Sequence, residues 1–354
     1  MFKLIVRVVL RKAKIGIHLG RRRSICFLVL ATFLLVWYSC GWLITITSKA
    51  LLPPPPPDQN LDHFRRNRSL AHYMDNIQVL IEPSTTPCAG AEEVPVLILV
   101  SSAPLNYENR QAVRTTWGKH QPTYFVMGLN SNDVDEQLVD NYVEAKQYGD
   151  LVLFELHDHY QNLTLKSALM IQWALRNCPQ AEFMFKTDDD VLVNPWTLKL
   201  VLKENPDAAL LGYKIEDTLV HRDEYTKWFM PRWLFNTDVV PQYLSGTGYL
   251  INGVNLENIL KKAYKVPLVN LEDVYFTYLV AHRTLSLPLT HDRRLSPHKP
   301  WLPLACAYWT LASMHSLSPD EMITAWSKIE KIADQDATSC GFFKSYLESD
   351  FLLY

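Results

Sequence analysis

Hydrophobic and polar positions sort this chain of 354 residues into three regimes. Residues 24–47 form a block of 24 without a single charged side chain. At about 1.5 Å per residue, a helix of that length crosses a hydrocarbon core of about 30 Å. Residues 48–93 are polar and weakly periodic, and include the run Pro53 to Pro57, which favours a stiff polyproline spacer. From Val94 onward, short apolar runs alternate with stretches of helical spacing. The chain therefore reads as a tail (1–23), a span (24–47), a stem (48–93) and a folded head (94–354).

Within the head, residues 96–100, 124–127, 151–156 and 183–185 read as buried strands. Between them lie a helix containing Arg110, Arg114 and Trp117, a loop-plus-helix segment at 130–147, and a helix at 164–177. In the last of these, Leu165, Ala168, Leu169, Gln172 and Leu175 recur at helical spacing. Such alternation predicts an α/β fold, with a mainly parallel sheet covered by helices on both faces. The second half is less regular. Its Ser245-Gly246-Thr247-Gly248-Tyr249 stretch suits either a plain turn or close approach of backbone to a ligand. Leu271-Glu272-Asp273-Val274 sets two acids where a helix begins, a position that also suits simple capping. Ser318-Pro319-Asp320-Glu321 has the form of a capping box.

Charge adds topology. Residues 1–23 hold eight basic side chains and no acid, so the remaining 27 of the 35 basic residues face all 37 acidic ones. That balance excludes the basic face a nucleic-acid partner needs. Basic residues ahead of the span, with only Lys49 just after it, leave the N-terminus in the cytosol and the head on the far side. The apolar block is too long for a cleaved signal peptide, which makes it a signal anchor. Two sequons, at Asn67 and Asn162, fall on the same lumenal side. Cys88, Cys178, Cys306 and Cys340 lie there as well, in an oxidising compartment, where four cysteines allow three pairings.

The chemistry concentrates at Phe185-Lys186-Thr187-Asp188-Asp189-Asp190-Val191, three carboxylates at the end of a buried strand. Adjacent carboxylates raise one another's pKa unless a cation or hydrogen-bond donors compensate them. In open α/β sheets ligands bind beyond the carboxyl ends of strands, so these acids face a cleft. A hard divalent cation carrying a diphosphate suits such a seat. His315, read alone, is better explained by structure than by ligation.

Taken in order, Arg110-Gln111-Ala112-Val113-Arg114-Thr115-Thr116-Trp117-Gly118, the acidic stretch, Ser245-Gly246-Thr247-Gly248-Tyr249 and Glu272-Asp273-Val274-Tyr275 resemble one family. It is the β-1,3-glycosyltransferase family of galactosyl- and N-acetylglucosaminyltransferases, and the resemblance covers roughly residues 95–340. It implies a GT-A nucleotide-sugar-binding fold and inverting transfer from a UDP-sugar, UDP-galactose, UDP-N-acetylglucosamine or UDP-N-acetylgalactosamine, to a glycan on lipid or protein. It also implies Mn²⁺ as cofactor and a single-pass type II Golgi membrane location. By the family's pattern Asp188 contacts the ribose, Asp190 and His315 ligate the metal, Asp273 is the base and Glu272 orients the acceptor. Arg110, Arg114, Trp117, Asp189, Gly246 and Gly248 fall near the donor. The resemblance further implies a Cys306–Cys340 bond, which leaves Cys88 for Cys178.

Overall fold

The computed structural model describes residues 30–39, 66–85, 88, 93–130, 134–224, 226–334 and 340. The chain divides into two compact units, Met1–Asp58 and Gln59–Tyr354. In the first, residues 30–39 are helical, and the rest of the span expected at 24–47 lies outside the described residues. Among the described residues no helix is long and apolar enough to cross a membrane.

The second unit contains strands β1 (Val79–Ile81), β2 (Val94–Ser101), β3 (Thr123–Leu129), β4 (Leu151–His157), β5 (Ala181–Asp188), β6 (Leu192–Val193), β7 (Leu210–Leu219), β8 (Val239–Asn252), β9 (Leu289–His291), β10 (Leu295–Ser296) and β11 (Ser313–Met314). Eight of them form one sheet in the order β1-β4-β3-β2-β5-β8-β7-β9, and β10, β11 and β6 form a small second sheet. The block β4-β3-β2-β5 is parallel, as the alternating pattern predicts. The sheet is nonetheless mixed: β8 runs antiparallel to both of its neighbours, β5 and β7, and β1 antiparallel to β4, while the other six strands share one direction, so it remains mainly parallel. The physical reason lies in the connection. No helical crossover separates β7 from β8, only the excursion at residues 220–238, so β8 runs back along its neighbour.

Both faces of the sheet are covered, which is why its inner strands read as continuous apolar runs. Along β2 the side chains alternate: Leu97 and Leu99 enter one core, while Val96, Ile98 and Val100 enter the other. The first core packs against helices Leu163–Asn177, Gly253–Ala263 and the π-helical Val274–Thr284, through Leu165, Leu169, Ile259 and Phe276. The second packs against Tyr107–Thr115, Pro195–Glu204 and Pro319–Ala333, through Val113, Leu198, Met322 and Trp326. The capping box forms, with Ser318 Oγ accepting from Glu321 N at 3.3 Å and Glu321 Oε2 accepting from Ser318 N at 3.0 Å.

The sheet begins before the change of composition at Val94. Strand β1 pairs with β4, and Leu70 on the short helix Leu70–Met74 is fully buried in the first core. Cys88 is bonded to Cys178 and Cys306 to Cys340, with Cα separations of 5.2 and 5.3 Å. The first bond closes 90 residues and ties the segment after β1 to the end of helix Leu163–Asn177. Replacing Cys88 and Cys178 together by Ser should lower the unfolding free energy of the fragment 59–354 by about 2–4 kcal/mol, read by urea denaturation under oxidising conditions.

Candidate active site

Strand alternation starts the site. Lys186 and Asp188 stand two residues apart on β5, hence on one face. Lys186 is 2% exposed; its Nζ donates to Asp188 Oδ1 at 2.8 Å and to Gly246 O at 2.6 Å, with Glu272 Oε2 at 3.6 Å. Burial by itself would lower the pKa of this ammonium, yet Asp188 and Glu272 outweigh burial and keep it charged.

Antiparallel pairing brings Gly248 opposite Thr187, whose Oγ1 donates to Thr247 O at 3.0 Å. Gly246 N donates to Asp273 Oδ2 at 3.2 Å, and a Cβ on residue 246 would stand 3.0 Å from that same oxygen. Glycine at 246 therefore serves close approach to a carboxylate. At 248 the Phe185 ring sets the limit, 3.0 Å from where a Cβ would fall.

Asp273 caps helix Val274–Thr284, its Oδ1 accepting from Val274 N at 2.8 Å. Capping and cavity-lining thus coincide in one residue. Burial raises its pKa, and the N–H of Val274, Lys186 and the N–H of Gly246 oppose the rise without cancelling it. Burial pushes Glu272 up to about 7 against the pull of Lys186, with Asp273 adding to the rise, and the Tyr249 hydroxyl donates to it.

The small sheet supplies the last group. β11 pairs with β6, Met314 opposite Leu192, and Leu317 N donates to Asp190 O at 3.0 Å. His315 is thereby held beside the acidic turn, its Nε2 3.3 Å from Asp190 Oδ2 and its Nδ1 2.8 Å from Ser316 Oγ. Burial lowers the pKa of His315, but the Asp190 carboxylate outweighs it and the net direction is up. Ligand atoms of Asp188, Asp190 and His315 lie within 4.8 Å of one another. Two carboxylates and one imidazole are donors that suit Mn²⁺, with the Asp188 Oδ1 already engaged by Lys186. Asp188, Lys186, Gly246, Glu272, Asp273 and His315 all line one cavity of about 490 Å³.

Other residues singled out in the sequence lie elsewhere. Asp189, between Asp188 and Asp190, is 6% exposed and turns away from the metal-ligand group, accepting from Ser102 Oγ at 2.7 Å and Asn106 Nδ2 at 2.9 Å. Arg110 is fully buried, with Nε and Nη2 on Glu144 at 2.8 and 2.7 Å and Nη1 on Ala103 O at 2.6 Å. Arg114 pairs with Glu144 and Asp150, each at 2.7 Å. Trp117 is buried in the second core. None of these four lines the cavity. Of the sequons, Asn67 is exposed, whereas Asn162 is buried and its amide donates to His157 O at 2.8 Å, a bond a glycan would displace. Lys186, given no role from the sequence, is central to the site, and its i, i+2 spacing from Asp188 on a strand is the signal that could have found it. Tyr160, which also lines the cavity, carries no such signal.

An α/β sheet whose central strand ends in carboxylates, with a His and an acidic pair nearby, presents the donors that a divalent cation takes. The Galactosyltransferase family profile matches residues 108–289, about half of the chain, and the chain belongs to that family. It is a hexosyltransferase of the β-1,3 type. Similar proteins include a human acetylgalactosaminyl-O-glycosyl-glycoprotein beta-1,3-N-acetylglucosaminyltransferase, 29% identical over 77% of this chain and 74% of that protein. Human beta-1,3-galactosyltransferase 5 is 28% identical over 68% of this chain and 80% of its own length. Beta-1,3-galactosyltransferase 1 of Mus musculus is 29% identical over 82% and 92%.

The ion pairs of Arg110 generate a test. Arg110→Ala leaves Glu144 buried with fewer partners and should destabilise the fold by about 3–5 kcal/mol, with the donor KM of the folded fraction unchanged. A raised donor KM at unchanged stability would instead put Arg110 on the nucleotide-sugar.

Proposed function

We propose that this protein is an inverting, GT-A-type β-1,3-glycosyltransferase that moves galactose or an N-acetylhexosamine from a UDP-sugar to a glycan hydroxyl on lipid or protein. The observation that carries the reading is that Asp188 and His315, grouped with Asp190, line the same cavity as the Asp273 carboxylate. Inversion needs a base on the face opposite the leaving group, and Asp273 is that base. Its Oδ1 and Oδ2 are fixed by the N–H groups of Val274 and Gly246, so the carboxylate is oriented before substrate arrives. As the new bond forms at the anomeric carbon, the acceptor hydroxyl becomes acidic and its proton passes to Asp273. Glu272, on the same turn, orients the acceptor.

At the donor end Asp188 meets the ribose, held in place by Lys186. Asp190 and His315 are the residues that would hold Mn²⁺, whose chemistry when bound is to neutralise charge on the departing diphosphate. Arg110, Arg114, Trp117, Asp189 and Gly248 act behind the site, setting the strand ends and turns that present these groups. In the cell the same reading places the catalytic unit in the Golgi lumen, tethered by residues 24–47 through the proline-rich stem.

The lumenal fragment 59–354, offered each UDP-sugar with a panel of acceptors, should give a β-1,3 product that chelator abolishes and Mn²⁺ restores. Asp273→Asn should reduce kcat by at least about a hundredfold, with UDP-sugar affinity retained. Asp190→Ala should weaken Mn²⁺ binding measured by calorimetry. A folded fragment that binds UDP-sugar and metal but yields only hydrolysed sugar would overturn the transferase reading.

The raised pKa of Asp273 sets the acid limb of the pH profile. Only its deprotonated form accepts a proton, so kcat/KM should fall as pH drops through that pKa. The limb should therefore lie above the ordinary carboxylate range. A limb near pH 4 would contradict the assignment of Asp273 as base.

A further inference from the structure

The cavity has a second end that the chemistry above leaves unused. Its wall is built by the excursion between β7 and β8, clipped into shape by one side chain: the Arg222 guanidinium donates to the carbonyl oxygens of Met230, Phe235 and Thr237. Met230 N closes the same loop on His221 O at 2.9 Å. The loop delivers Trp228 to the cavity, and this large apolar ring remains 45% exposed. Its surroundings fix it without covering it. The His221 ring lies 5.2 Å away, Lys227 Nζ stands 5.0 Å from the indole centroid and 5.4 Å from that of Tyr160, and the Trp228 side chain hydrogen-bonds to the Tyr160 hydroxyl. The one polar group of the indole is thereby occupied, so a ligand meets its apolar ring. Tyr160 also reaches toward the other end, close enough for its hydroxyl to feel the charges of Asp273 and Glu272.

An exposed indole on a rigid loop, in one cavity with a base that must meet a sugar hydroxyl, is suited to the C–H face of a pyranose ring. Resting on the transferase reading, we propose that Trp228 is the acceptor platform. The acceptor pyranose stacks its apolar face on the indole and thereby turns its hydroxyl toward Asp273, with Tyr160 and Lys227 holding the ring at the required angle. Trp228 thus selects acceptors that present such a face, and has no part in holding the nucleotide.

The test separates acceptor from donor. With benzyl β-galactoside and benzyl N-acetyl-β-glucosaminide as probes, Trp228→Ala should raise the KM of the better acceptor about tenfold or more. Kinetic constants for the UDP-sugar should stay within about twofold, and Trp228→Phe, which keeps an aromatic face, should recover most of the loss. Tyr160→Phe, which frees the indole N–H but keeps its own ring, should fall between wild type and Trp228→Ala. Ligand-observed NMR of the same glycosides with the UDP-loaded fragment reads the platform without turnover, and saturation transfer should be strongest on the C–H face and lost in Trp228→Ala. An unchanged acceptor KM together with unchanged saturation transfer in Trp228→Ala overturns the platform and leaves the transferase intact. A wild type that binds glycoside at Trp228 but transfers nothing overturns the transferase reading alone. A donor KM that rises as much as the acceptor KM moves Trp228 to the nucleotide-sugar and also overturns the proposal.

Discussion

The site depends on a single buried cation. Asp188, Glu272 and Asp273 crowd a space where burial already disfavours ionised carboxylates, and the Lys186 ammonium is what makes the arrangement tolerable. Its two short hydrogen bonds go to Asp188 and to Gly246 O, and that carbonyl belongs to the residue whose N–H holds Asp273. One side chain therefore links the end of β5, the glycine turn of β8 and the acids opening helix Val274–Thr284. Each element is positioned against the same charge. The compensation is incomplete, since Glu272 and Asp273 both retain raised pKa values. For carboxylates the sign is unfavourable to folding: the folded state holds the proton more tightly, so stability is lost as pH rises from the unfolded pKa through the folded one. The site is a place where the fold gives up stability, and the pairs elsewhere offset it.

Those pairs form a separate network behind the sheet. Glu144 receives both Arg110 and Arg114, and Arg114 continues to Asp150 at the start of β4. Arg110 also binds Ala103 O in the turn after β2, and Ser102 in that turn holds Asp189. Arg110 thus reaches the acidic turn through one intermediate, its Nη1 donating to the Ser102 Oγ at 3.1 Å, and neither arginine lines the cavity.

How far the sequence foretold this varies with the range of the interaction. Strands β2 to β5 were legible because each is buried on both faces and reads as an unbroken apolar run. Strand β1 was hidden in the stem because a three-residue edge strand with one exposed side chain leaves no periodicity to detect. The reversal of β8 escaped for a similar reason, since the irregular excursion between β7 and β8 carries no helical spacing to exclude or require a crossover. In the site, Lys186 and Asp188 share a face by strand alternation alone. The partners of Arg110 and Arg114 lie 34 and 36 residues away at Glu144 and Asp150, a separation at which spacing says nothing about contact. His315 was legible only by likeness to a family, because two-residue strands place it.

The three consecutive aspartates show how local crowding is resolved by long-range partners. Asp188 turns to Lys186 on its own strand, Asp189 to Ser102 and Asn106 beyond β2, and Asp190 to His315 beyond β11. No two share their principal partner, so the mutual repulsion that made the motif conspicuous is divided among three separate compensations. Of the three, Asp188 lines the cavity. The middle one, with its pKa raised by burial and by both neighbours, is held by neutral donors that suit either protonation state less strictly than a cation would. The chain can therefore carry a dense acidic strand end because the sheet order delivers a different element to each carboxylate. It is that order, β2 beside β5 and β11 beside β6, that converts a run of like charges into a site with two ends and a fixed floor.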